Sequence, residues 1–167
     1  TRSHCDWSSD VCSSDLKRHF SRIKASDLLL LDTKEPPDFK HPDAPDVTAW
    51  GLHGSIHRHC PHARCVMHVH PIYATVLASL ADSNLPPIDQ NSAIFYKRYV
   101  IDEEYGGLAF EKEGERCAEM LNDPKIKVMI MGNHGVLVIG SNVADTFNRL
   151  YYFERAAETY IDRKSVV

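Results

Sequence analysis

His68 and His70 stand two residues apart in Cys65-Val66-Met67-His68-Val69-His70-Pro71, an apolar, β-branched setting that predicts a strand. A strand's period of two sends both imidazoles to the same face. Two neutral ring nitrogens side by side are half of a metal site. An isolated pair of this kind on a half-buried strand is more often structural, satisfied by backbone carbonyls. A third histidine shifts that balance: His134 sits in the glycine-flanked turn Gly132-Asn133-His134-Gly135, between two apolar runs that would hold it on a rigid scaffold. Together His68, His70 and His134 supply the three nitrogens of a catalytic zinc centre, with one position left for water or substrate. Imidazole also suits iron, nickel and copper, so these ligands alone do not choose the metal.

The other reactive side chains read as structural. His57, His59 and His62 fall at the end of a predicted helix, where partial positive charge suits the dipole. Cys65 lies on the opposite strand face from the two histidines and reads as a small core residue. With Cys5 and Cys12 set aside in an adapter-like head, Cys60, Cys65 and Cys117 have no CxxC spacing and are odd in number, which disfavours a disulfide framework and fits a reducing, cytoplasmic setting. The carboxylates of Asp102-Glu103-Glu104, ahead of Tyr105-Gly106-Gly107, are read as solvated loop charges.

The elements that would position the histidines alternate along the chain. Leu28 to Leu31, bounded by polar residues, predicts a short buried strand, and four prolines between Glu35 and Pro45 predict a loop. Asp46 to Arg58 predicts a helix capped by Asp46 or Thr48, with Gly51 and Gly54 permitting close packing. Arg64 to His70 is the histidine strand. Pro71 would open the helix Ile72 to Leu80, so His70 stands at a strand's carboxyl end, where open α/β folds place ligands. Strand character is assigned to Ile94–Ile101, helix to Glu111–Leu121, and strands to Lys125–Met131 and Val136–Ile139. Ser141 to Ile161, capped by Ser141 or Asn142, has the clearest helical period. This alternation indicates an α/β domain without internal repeats.

The sequence has 167 residues, 43% hydrophobic and 25% charged, with net charge −4, as expected for one globular domain. Dispersed basic residues give no nucleic-acid footprint, and no apolar run approaches the roughly 18 residues of a membrane span. Small molecules or protein surfaces are the expected partners. Asp6 to Leu16 (DWSSDVCSSDL) and Asp162 to Val167 (DRKSVV) look like translated sequencing adapter, so residues 1–16 and 162–167 are expected to be non-native, leaving a domain over 17–161.

Three stretches, TAWGLHGSIHR, CPHARCVMHVHPIYATVLAS and KVMIMGNHGVLVIGSNVADTFNRLYYFERAAE, resemble the class II aldolase/adducin family across Phe20 to Tyr160. The resemblance implies a three-layer α/β/α domain with a central, mostly antiparallel sheet, and a homotetramer. It implies a divalent metal on His68, His70 and His134, foremost zinc, with iron, manganese or cobalt as alternatives. The activity it implies is a lyase of aldolase or decarboxylase type on a small oxo or hydroxy acid or sugar derivative, the metal stabilising an enolate as a Lewis acid. The alternative it carries is a non-catalytic, adducin-like assembly module of the cytoskeleton. Departures from the family's pattern matter here. The family's Ser-Ser-Glu run, whose glutamate is ligand and acid/base, is matched by Val47-Thr48-Ala49; Ala49 moves no proton, and Thr48 is all that is left of the phosphate-binding serines. A family tyrosine is matched by Gln90, and the family's glycine-asparagine phosphate segment would precede Lys17. Tyr73 and Tyr96 are proton carriers only by nearness in sequence.

Overall fold

The computed structural model describes residues 22–41, 44–104 and 111–166. In chain order the elements are α1 (Val47–His59), β1 (Cys65–Val69), α2 (Ile72–Ala78), α3 (Gln90–Ile94), β2 (Tyr99–Asp102), α4 (Glu111–Met120), β3 (Val128–Met131), β4 (Gly135–Gly140) and α5 (Val143–Val166). The expected tail at 1–16 and the glycines at 106 and 107 lie outside the described residues.

Four apolar strands form one sheet in the order β1-β4-β3-β2. β4 pairs antiparallel with β1 and with β3, while β2 runs parallel to β3. The sheet is therefore mixed and mostly antiparallel. The strand period divides its side chains between two helix layers. Val66, Met129, Met131, Leu137 and Ile139 pack under α1 and α4 with Leu52, Ile56, Cys117 and Leu121. Val128, Ile130, Val136 and Val138 pack under α2, α3 and α5 with Leu77, Phe95, Phe153 and Ala157. This is the expected α/β/α layering. It also sets direction: β1, β2 and β3 all end at one edge of the sheet, where the β3–β4 turn lies.

Local chemistry sets the helix starts. Asp46 caps α1, its carboxylate accepting from the backbone N–H groups of Thr48 (2.8 Å) and Ala49 (3.1 Å) and from the Thr48 hydroxyl. Asn142 caps α5 by accepting from Asp145 N–H at 2.9 Å, and that helix continues past Ile161 to Val166. Pro71 occupies the capping position of α2 rather than its first turn.

Three expectations are corrected. Asp102 is not a solvated loop charge: it ends β2, is 2% exposed and pairs with Arg116. Leu28 to Leu31 is not a strand: a 3-10 turn at Ala25–Asp27 precedes it, and Leu30 is 80% exposed. Four leucines satisfy the apolarity of a buried strand, but among the described residues no neighbour offers them a ladder. Ile94–Ile101 is not one strand either. Asp89 and Ser92 exchange capping hydrogen bonds, which winds Gln90–Ile94 into α3, and Lys97 at φ 57° turns the chain before β2 starts at Tyr99.

The two helices over the first face touch through backbone. A Cβ on Gly114 of α4 would lie 2.1 Å from the Gly51 carbonyl oxygen of α1. Gly114→Ala must push the helices apart, and an overpacking cost of about 1–3 kcal/mol is expected. Urea unfolding should show a lower midpoint for this variant; an unchanged midpoint would contradict the packing described.

Candidate metal centre

The strand register decides where each histidine goes. His68 pairs opposite Leu137 and shares the face turned to α1, where it is 7% exposed. His70 follows Val69, the last residue of β1, so it stands just beyond the sheet between strand and helix. His134 is carried by the β3–β4 turn, which backbone bonds fix at three points. Gly132 N–H donates to the Asp102 carbonyl (2.9 Å), Asn133 N–H to the Ala78 carbonyl (2.9 Å) and His134 N–H to the Met131 carbonyl (3.0 Å). Asn133 takes φ 55°, the left-handed conformation that asparagine tolerates better than most residues.

These placements bring three ring nitrogens together. His68 Nε2 lies 3.0 Å from His134 Nε2 and 3.2 Å from His70 Nε2. The His68 and His134 rings are nearly parallel, at 16°, and the His70 ring stands at 90° to His134. His68 Nδ1 is 3.2 Å from the Val136 carbonyl oxygen. A carbonyl only accepts, so Nδ1 carries the proton and the Nε2 lone pair points at the other two histidines. Orienting a ligand imidazole through a carbonyl on its other nitrogen is how metal sites fix the tautomer. The donor set fits a divalent cation: tetrahedral nitrogens about 2.0–2.1 Å from zinc stand roughly 3.3 Å apart. Among the described residues, the group able to share one ion is His68, His70 and His134, with no carboxylate in it.

Electrostatics favour the neutral ligand. Burial, then the charges of His134, His53 and His70, push His68 down to about 3, against a smaller opposing contribution from the Val136 bond. His68 is therefore a neutral donor throughout the physiological range. His53 is a residue the sequence reading passed over. It is 4% exposed on α1, four residues after Ala49 and so on the same helix face. That i, i+4 relation to the family's glutamate position was the signal available.

Gly135 is the second such residue. A Cβ there would lie 2.4 Å from His70 Cδ2 and 2.7 Å from the Val69 carbonyl oxygen, so the His70 ring occupies the space that any side chain would take. The remaining candidates stand elsewhere. The Thr48 hydroxyl is committed to Asp46, whose carboxyl burial would raise but whose bonds to Thr48 and Ala49 hold below the usual range. Gln90 is exposed at the start of α3. The Tyr73 side chain packs with the cluster under α5, and Tyr96 lines a cleft with Asn84, Leu85 and Tyr99. Among the described residues Cys60, Cys65 and Cys117 are buried thiols, Cys117 pushed up to about 12 chiefly by burial. His62 meets the Leu121 carbonyl at 3.1 Å.

Two outcomes follow. Gly135→Ala should displace His70 and lower zinc affinity at least about 10-fold, the scale of losses when a ligand's support is removed; calorimetric titration showing wild-type affinity would contradict the close approach. The second concerns pH. His68 takes up its proton near pH 6.5 when unfolded but near 3 when folded, so between these values the unfolded chain binds more protons. Metal-free protein should lose stability as pH falls through that window, and His68→Asn, which keeps a donor toward Val136, should flatten the dependence. Equal slopes in urea melts from pH 7 to 4 would count against it.

Comparison with known proteins agrees with the architecture. Residues 8–161 match the class II aldolase and adducin N-terminal domain. The 4-hydroxy-3-prenylphenylpyruvate oxygenase/4-hydroxy-3-prenylbenzoate synthase of Streptomyces roseochromogenus subsp. oscitans is 27% identical over 132 residues, 78% of this chain and 47% of that protein. Human beta-adducin is 27% identical over 125 residues, 72% of this chain and 16% of adducin. The crystal structure of an aldolase II superfamily protein from Pseudomonas syringae superposes with a TM-score of 0.75 at 27% identity, covering 88% of this chain and 58% of that one. The chain thus spans about half the length of the first of these relatives. Its α/β/α layering, its mostly antiparallel sheet and a match over residues 8–161 place one conclusion beyond the individual resemblances: the chain belongs to the class II aldolase and adducin N-terminal domain family.

Proposed function

We propose that this protein is a divalent-metal-dependent lyase, of aldolase or decarboxylase type, acting on a small oxo or hydroxy acid or sugar derivative. The observation that carries the proposal is the convergence of the His68, His70 and His134 Nε2 atoms. These three would hold the ion, with zinc first on the all-nitrogen donor set. A divalent cation there supplies Lewis acidity toward a carbonyl or carboxylate oxygen and offsets the negative charge that C–C cleavage develops.

The chain's own residues shape what reacts. His68 is buried and neutral, and His70, which is exposed, opens the centre to solvent. Ala49 stands in the first turn of α1 at the position the resemblance gives to the family's glutamate and can carry no proton, and a general base is typically worth about 10²- to 10⁴-fold. With Thr48 tied to Asp46, that turn offers no hydroxyl to a phosphate. A small acid without phosphate is thus favoured over a sugar phosphate. The phenylpyruvate in the name of the Streptomyces relative is itself a 2-oxo acid, which supports the same substrate class.

The wider setting belongs to the proposal. Buried, unbridged thiols at Cys60, Cys65 and Cys117 fit the cytoplasm. Ile72, Phe147 and Tyr151, exposed by 75%, 59% and 52%, fit helix faces covered in a homotetramer. No helix among the described residues is long and apolar enough to cross a membrane. Ala49 also motivates a second reading, a non-catalytic assembly module of the adducin kind, to which the likeness to beta-adducin lends weight.

Turnover separates the two. Aldehyde release and decarboxylation should be measured over a panel of small oxo and hydroxy acids, with zinc, manganese or iron(II) added. The lyase reading expects turnover of at least one acid, reduced at least about 100-fold in His70→Ala. Metal bound through the histidines with no turnover across the panel would favour the assembly module.

A further inference from the structure

We infer that Glu154 is a positioning residue for the metal centre, holding His70 and the His134 turn in place through α2; the inference rests on the reading of the three histidines as metal ligands. α2 has seven residues and begins behind Pro71, whose side chain offers no acceptor to the helix's first amides. The Glu154 carboxylate, some 80 residues further along the chain on α5, takes that place. Its Oε1 accepts from Tyr73 N–H at 2.9 Å and its Oε2 from Ala74 N–H at 2.8 Å. Paired bonds from one carboxylate are short and directional, and the negative charge lies at the positive end of α2.

Direction is what the apolar contacts lack. Ala74, Leu77 and Ala78 of α2 pack on Phe153, Ala156 and Ala157 of α5, an attachment proportional to buried area that tolerates sliding or rotation. The carboxylate clamp fixes where α2 sits along α5. Both ends of α2 then act on ligands. His70 precedes the helix by two residues and lies beyond the last paired residue of β1, Val69, so the start of α2 holds one side of its backbone. At the other end, the Ala78 carbonyl accepts from Asn133 N–H at 2.9 Å, the residue before His134. His68, by contrast, is held by its own strand and by the Val136 carbonyl. A displacement of α2 therefore moves two of the three nitrogens relative to the third.

Cobalt(II) bound to the full chain tests this through affinity and visible absorption, without reference to turnover. Glu154→Gln, which keeps the shape but turns an amide NH2 toward an N–H, should stay folded by circular dichroism. It should weaken Co²⁺ binding by about 10- to 100-fold and alter the d–d bands, the size of effect expected when a ligand's support is lost. Glu158→Gln, on the same helix in an exposed pair with Arg155, should leave both unchanged. Adding Pro71→Ser to Glu154→Gln supplies a local capping hydroxyl and should recover most of the affinity. If Glu154→Gln does not fold, Glu154→Asp, one methylene short of the amides, is read in its place for the same outcomes. Wild-type affinity and spectrum in the folded variant, or a loss that Pro71→Ser does not reverse, would overturn the positioning role alone. Failure of the wild-type chain to bind Co²⁺ would overturn the metal reading and this role with it.

Discussion

The hydrogen bond from His68 Nδ1 to the Val136 carbonyl is the interaction on which the site depends. It places the ring proton on the side away from the cluster, so the nitrogen facing His134 and His70 presents a lone pair. The Nε2 atoms of His134 and His70 lie 3.0 and 3.2 Å from it, close enough to meet that lone pair with a proton of their own or to share a cation with it. His68 itself resists carrying positive charge, because burial and its histidine neighbours hold it neutral down to about 3. A shared cation bound by all three nitrogens is what the proposed function assigns to this cluster.

The fold contributes by bringing sheet ends together. Because β1 and β3 point the same way on either side of β4, the carboxyl end of β1 and the β3–β4 turn meet at one edge. Backbone conformation does the fine placement there: Asn133 accepts a left-handed turn, and the missing side chain of Gly135 leaves room for the His70 ring. Around that edge, the buried Asp102 carboxylate pairs with Arg116, while its main-chain carbonyl holds Gly132. The turn that carries His134 is thereby tied to β2 as well as to α2.

Much of this was legible in the sequence wherever a period was long enough to read. The HxH spacing announced two neighbouring imidazoles, although β1 ends at Val69 and His70 stands just beyond it, and the runs around the Asn133-His134 turn announced two strands. The long repeat after Asn142 announced α5. What was not legible depended on partners remote in the chain. Leu28 to Leu31 has a buried strand's composition but no ladder to join among the described residues, and Gln90–Ile94 becomes helical because Asp89 and Ser92 cap each other. The closeness of Gly135 to His70 requires the β1–β4 register, which no local pattern specifies. His53 was visible as a helical histidine, but its approach to His68 is a product of α1 lying over the sheet.

Function divides along the same line. The histidines argue for a metal centre, while Ala49 and the committed Thr48 argue against sugar-phosphate chemistry and leave open α-oxo acid cleavage or an assembly role. The central claim is the metal itself. X-ray absorption at the zinc edge, on the chain loaded with one equivalent of zinc, tests it most directly. The account predicts three imidazole nitrogens at about 2.0–2.1 Å, with the multiple-scattering pattern of histidine rings that falls by one ring in His134→Ala. A spectrum without histidine scattering, or one that His134→Ala leaves unchanged, would contradict it.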